Sequence, residues 1–179
     1  MVVPDWDSTS ADQGRQALGS SLACASARAA GLPVVLVGWS LGGTAALSVA
    51  LQPEDGPNPV AVVGLAADVG STSPLTGVVP LALAETGSGS PAMPLVLVHG
   101  TADNIVEPAG GRTFVRTARS LGWRVAHREV DTDHAGVIGT EYDGRQGVCV
   151  PSTAPRALVG RAAAVWAVDE ALRLANAAE

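Results

Sequence analysis

Short runs of β-branched and aliphatic residues alternate along this chain with longer stretches in which apolar positions recur every three or four residues. Unbroken apolar runs favour buried strands and a period near 3.6 favours helices, so the alternation predicts an α/β fold, a mostly parallel sheet with helices on both faces. The strand segments are residues 1–3, 34–38, 60–65, 95–99 and 124–130, about five strands. The middle three read as continuous apolar cores, as expected of strands covered on both sides.

Helical periodicity fills the gaps. Residues 11–30 place Leu18, Leu22, Ala25 and Ala29 on one side, predicted to cover a sheet face, with Gly31 and Pro33 as the stop. A second helix over 41–51 opens with Gly42 and Gly43 and ends at Pro53. A third, 109–121, carries Phe114, Val115, Ala118 and Leu121 and closes at Gly122. The last, 154–176, is predicted to pack through Leu158, Ala162, Val165 and Leu172. Segments 70–92 and 136–151 are rich in Gly, Ser, Thr and Pro and read as loops lining a site, with 86–90 as a surface turn.

With 179 residues, the chain fits one domain, since domains mostly span about 50–250 residues. Its net charge is −6 and its basic residues are scattered arginines, which supplies no footprint for a phosphate backbone and sets nucleic acid aside. No apolar run approaches the roughly 20 residues of a membrane span. Residues 1–7 have neither a basic nor an apolar signal-peptide region, so the expected location is cytoplasmic. Cys24 and Cys149 do not make a disulfide framework, and a single bridge between them stays open.

The chemistry is concentrated in three places. Gly38-Trp39-Ser40-Leu41-Gly42 fits a G-x-S-x-G turn, and its setting between a strand and a helix is the one that lifts a serine above the sheet edge. At so sharp a turn the positions two residues either side, Gly38 and Gly42, are expected to tolerate only very small residues. The Leu41 N–H, at the helix start, is then aimed where an oxyanion would form. A serine needs a base, and His134, in Asp131-Thr132-Asp133-His134-Ala135-Gly136 just past the last strand, is placed to swing over the edge. His99 ends a strand and His127 lies inside one, which suits structural roles. The orienting acid is Asp103, after strand 95–99, with Asp68 after the preceding strand as the reserve; Asp131 and Asp133 read as turn formers. Trp39 and Leu41 are candidates to line a substrate pocket.

Gly38-Trp39-Ser40-Leu41-Gly42-Gly43, His99-Gly100-Thr101-Ala102-Asp103-Asn104-Ile105-Val106 and Asp133-His134-Ala135-Gly136 resemble three signature blocks of the α/β-hydrolase superfamily, in the superfamily's order. The likeness is to its esterase and dienelactone-hydrolase-like branches, and Val2-Val3-Pro4-Asp5-Trp6 resembles the end of that fold's fourth strand. It implies one N-terminally truncated domain over residues 1–179. It also implies a serine hydrolase that cleaves a carboxylic ester or related acyl bond of a small molecule through an acyl-enzyme on Ser40, with no metal or organic cofactor.

Acyl transfer or thioester cleavage by the same triad is the alternative, and a catalytically impaired remnant or binding module is the alternative from another class. The last is motivated by the missing counterparts of that fold's front strands, whose following loop usually gives a second oxyanion N–H in this superfamily. An exposed sheet edge left without them is expected to pair with a second copy, giving a homodimer.

Overall fold

The computed structural model describes residues 1–4, 6–10, 12, 14–52, 59–87 and 93–177. Among them, four strands form one parallel sheet: β1 (Val35–Trp39), β2 (Ala61–Leu65), β3 (Leu95–Gly100) and β4 (Val125–Val130), side by side in chain order. Five α-helices accompany it, namely α1 (Arg15–Ala29), α2 (Leu41–Leu51), α3 (Pro80–Glu85), α4 (Pro108–Ser120) and α5 (Pro155–Asn176). The strand register sets Gly38 beside Gly64, Val63 beside Val96 and Leu97 beside His127. Side chains alternate across a strand, so each strand feeds two cores. Val62, Leu95 and Leu97 meet Leu47, Leu51, Phe114 and Trp123 on the face of α2, α3 and α4. Ala61, Val63, Leu65, Val96 and Val98 meet Ala163, Ala167 and Ala171 of α5 on the other. β2 and β3 are buried along their whole length, as their unbroken apolar sequences require.

The expected strand over residues 1–3 does not form. Met1 and Val3 stand exposed, and nothing in the sheet pairs with them, which leaves β1 on the edge with Val37 49% exposed. Asp5, part of the segment that resembled a fourth strand, lies outside the described residues.

Helix α1 forms but does not cover a sheet face. Leu18 is its one buried residue, Leu22, Ala25 and Ala29 are half-buried, and none of them belongs to either core. A helix made mostly of Ser, Ala, Gly, Arg and Gln offers little apolar area to anchor it. Its end is sharp: Ala30 and Gly31 both take positive φ, 48° and 89°.

The expected face of α5 is reversed. Leu158, Val165 and Leu172 point outward at 46%, 59% and 41% exposure, and Ala162 is exposed too. The helix instead buries Ala157, Gly160, Ala163, Ala167 and Ala171. Small side chains let a helix backbone lie close against what it packs on, and here that proximity is demanded: a Cβ on Gly160 would run into the carbonyl oxygen of Gly136.

Other segments follow their sequence with local differences. On α4, Phe114, Val115 and Ala118 are buried and Gly122 takes φ 85° past the end, but Leu121 is 40% exposed. Helix α2 stops at Leu51, Gln52 donating its N–H to Ser48 O at 3.1 Å; Pro53, the expected stop, lies outside the described residues, as do 88–90 of the expected turn over 86–90. The two loop segments contain structure. Segment 70–92 includes the short helix α3, and 136–151 holds a 3-10 turn (Gly136–Ile138) and an antiparallel hairpin of β5 (Thr140–Asp143) and β6 (Val148–Pro151). The hairpin turn is closed by Asp143, whose carboxylate accepts the N–H groups of Arg145 and Gln146, with Gly147 at φ 69°. Cys24 and Cys149 are both free thiols.

Candidate active site

In a parallel sheet all strands end at the same edge, and that edge collects Ser40 after β1, Asp68 after β2, Asp103 after β3 and His134 after β4. Ser40 turns the chain from β1 directly into α2 with φ 53° and ψ −124°, a conformation that costs a non-glycine residue of order 1–3 kcal/mol. The turn is held from both sides. The Ser40 N–H donates to Leu65 O at 2.9 Å, the Thr44 N–H donates to Ser40 O at 3.1 Å, and Thr44 Oγ1 donates to Asp68 O at 2.8 Å. A Cβ on Gly38 would collide with the carbonyl of Gly42, so that glycine is compulsory. Gly42 itself is not, because a Cβ there meets nothing within 4 Å. The second constrained position is Gly43, whose added Cβ would lie 2.7 Å from the Ala67 methyl. The tight contact is thus between α2 and the loop after β2, one residue further along than the pentapeptide pattern suggests.

His134 reaches this elbow. Its Nε2 lies 2.9 Å from Ser40 Oγ, and its Nδ1 lies 2.8 Å from Asp103 Oδ2. A carboxylate can only accept, so Nδ1 carries the hydrogen and Nε2 presents its lone pair to the serine hydroxyl. Asp103 is fully buried at its side chain, and its other oxygen accepts the N–H groups of Ile105 and Val106, each at 2.9 Å. Burial works against its charge, but the Val106 N–H, the His134 ring N–H and the Ile105 N–H outweigh it and hold the carboxyl below its ordinary value. Asp103 is therefore ionised throughout the neutral range.

No family model matches the sequence, and no curated protein matches it. Solved structures do. The enzyme MGS-M1, from a Medee basin deep-sea metagenome library, is 15% identical with a TM-score of 0.62, over 95% of this chain and 66% of its own. The esterase Est2 of Thermogutta terrifontis, solved with propionate bound, is 18% identical with a TM-score of 0.62, over 91% and 65%. Esterase PE8 is 19% identical with a TM-score of 0.55, over 87% and 60%. The fold is that of the α/β-hydrolases. This chain spans about two thirds or less of the length of those three relatives.

Within the hydrolase fold, the remaining candidate residues separate by their partners. Asp68, the reserve acid, spends its carboxylate on its own turn, accepting the Gly70 N–H at 3.1 Å and the Ser71 hydroxyl at 2.5 Å; the histidine is bonded to Asp103. Asp133 likewise closes a turn by accepting the Gly136 N–H at 2.7 Å, and Asp131 faces Arg156 at 3.3 Å on the surface. His127 stays in β4, and burial pushes its pKa down. Leu41 is half-buried as the first residue of α2, where its N–H has no intrahelical acceptor. Trp39, a pocket candidate, makes a polar contact: its indole N–H donates to His134 O at 2.9 Å.

His99 is nearer the chemistry than its strand position suggested. It is buried at the end of β3 with Nε2 2.9 Å from Val106 O and 3.2 Å from Asp103 Oδ2. The carbonyl can only accept, so Nε2 carries the hydrogen and donates it to Val106 O, with the ring edge lying beside Asp103 Oδ2. The available sequence signal was the four-residue spacing from His99 to Asp103 across one tight turn.

Proposed function

We propose that this chain is a serine hydrolase that cleaves a carboxylic ester or related acyl bond through an acyl-enzyme on Ser40. The observation that carries the reading is the continuous relay from Asp103 Oδ2 to His134 Nδ1 at 2.8 Å and from His134 Nε2 to Ser40 Oγ at 2.9 Å. In this mechanism Nε2 takes the hydroxyl proton as Ser40 Oγ attacks the acyl carbonyl, and Asp103 stabilises the imidazolium that forms. The tetrahedral oxyanion receives the Leu41 N–H at the start of α2, where the helix dipole adds to the attraction. His134 then returns the proton to the leaving alcohol, and water repeats the sequence to free Ser40. General base catalysis of this kind contributes about 10²- to 10⁴-fold.

Short aryl esters are suitable probes, since the structurally similar esterase Est2 was solved with propionate, a short carboxylate, bound. Hydrolysis of p-nitrophenyl acetate and butyrate tests the reading. Ser40→Ala and His134→Ala are expected to lower kcat by roughly 10³-fold or more, and Asp103→Asn less completely. A Ser40→Ala variant as active as the parent chain removes the proposal.

A further inference from the structure

We propose that Trp39 is a positioning residue, whose indole N–H ties the His134 loop to the nucleophile elbow and sets the separation of Ser40 and His134. The inference rests on the serine-hydrolase reading above. β1 and β4 are the two outer strands of the sheet. With strands about 4.8 Å apart, the loop after β4 has to reach back across β3 and β2, on the order of 14 Å, to bring His134 to Ser40. Asp103, on the loop after β3, grips the imidazole from the near side through Nδ1. At the far side the backbone of residue 134 is held by Trp39, through the 2.9 Å bond from Nε1 to the His134 carbonyl.

The geometry makes this bond a ruler. Trp39 is joined to Ser40 by a peptide bond, and a tryptophan side chain has only two rotatable bonds before a rigid ring. Its ring also lies against the imidazole, centroids 5.1 Å apart and planes tilted by 40°. The same ring packs against the apolar cluster under α5, which further restricts it. Nucleophile and base, 94 positions apart in the chain, are thus linked through one side chain next to the nucleophile.

Trp39→Phe keeps an aromatic ring and removes the donor. Trp166→Phe is the control, since Trp166 is a half-buried tryptophan of α5 that lies under the Arg128 guanidinium, its ring centroid 3.9 Å away. A net hydrogen bond corresponds to about 2- to 10-fold in rate, and a displaced base loses more. For Trp39→Phe, kcat is expected to fall about 5- to 50-fold by the same factor on acetyl, butyryl and hexanoyl esters, with KM within about twofold. Trp166→Phe is expected to keep kcat. The His134 ring N–H proton, read by NMR without substrate, is expected to shift or broaden in Trp39→Phe and to stay in place in Trp166→Phe.

An effect that varies with acyl length and sits in KM would make Trp39 a pocket wall and overturn the proposal. So would a His134 proton unchanged in Trp39→Phe. A parent chain that hydrolyses no ester but whose His134 proton still responds would keep the tie and overturn the hydrolase reading instead.

Discussion

The elbow around Ser40 shows how much a single Cβ decides. Gly38 and Gly43 have no room for one, whereas Gly42 has open space. Gly42→Ala is therefore expected to fold with a melting temperature no lower than the parent, while Gly38→Ala and Gly43→Ala lose about 1–3 kcal/mol or more through overpacking. Thermal melts of the three variants check the order, and a Gly42→Ala variant as damaged as Gly38→Ala contradicts it. The strand and helix around Ser40 were legible in the apolar runs that flank the pentapeptide, because those preferences are local. The role of Gly43 was not, because the atom it must avoid belongs to Ala67, in the loop that follows β2. Asp68 stayed in reserve behind Asp103 for a related reason. Both follow strands that end at the same sheet edge, and only the reach of His134 separates them.

At the scale of elements, the central strands and α2 and α4 were readable because their sequences are apolar enough to choose a single environment. Helix α5 was not. Its Leu158, Val165 and Leu172 recur at helical spacing and look like a core stripe, but the helix is placed by how close it must come to the turn at Gly136–Ile138. Its alanine and Gly160 face allows that approach and the leucine face does not. Gly160 thereby supports the segment that carries His134. Gly160→Ala is expected to push the turn outward, lowering stability by about 1–3 kcal/mol and slowing ester hydrolysis at the same time. Measured together, a variant that loses neither stability nor activity would contradict this placement.

For the whole molecule, the sheet is covered on both faces and ends in two outer strands, β1 and β4. Among the described residues, β1 has a neighbour only in β2 and carries an exposed apolar residue, Val37, whereas the exposed residue of β4 is Arg128. No helix among the described residues is long and apolar enough to cross a membrane. An unpaired apolar edge templates strand addition, so we propose that copies of this chain associate through β1. Light scattering is expected to show mass rising with concentration, less so in Val37→Lys; a monomer at every concentration opposes it.

The central claim is that Ser40 is a nucleophile activated by His134 and Asp103. Its most direct test is intact-mass and peptide mapping after treatment with a fluorophosphonate. The account predicts one adduct per folded chain, located on Ser40 and absent in Ser40→Ala and His134→Ala. Folded protein that stays unmodified, or that is modified at another residue, would contradict it.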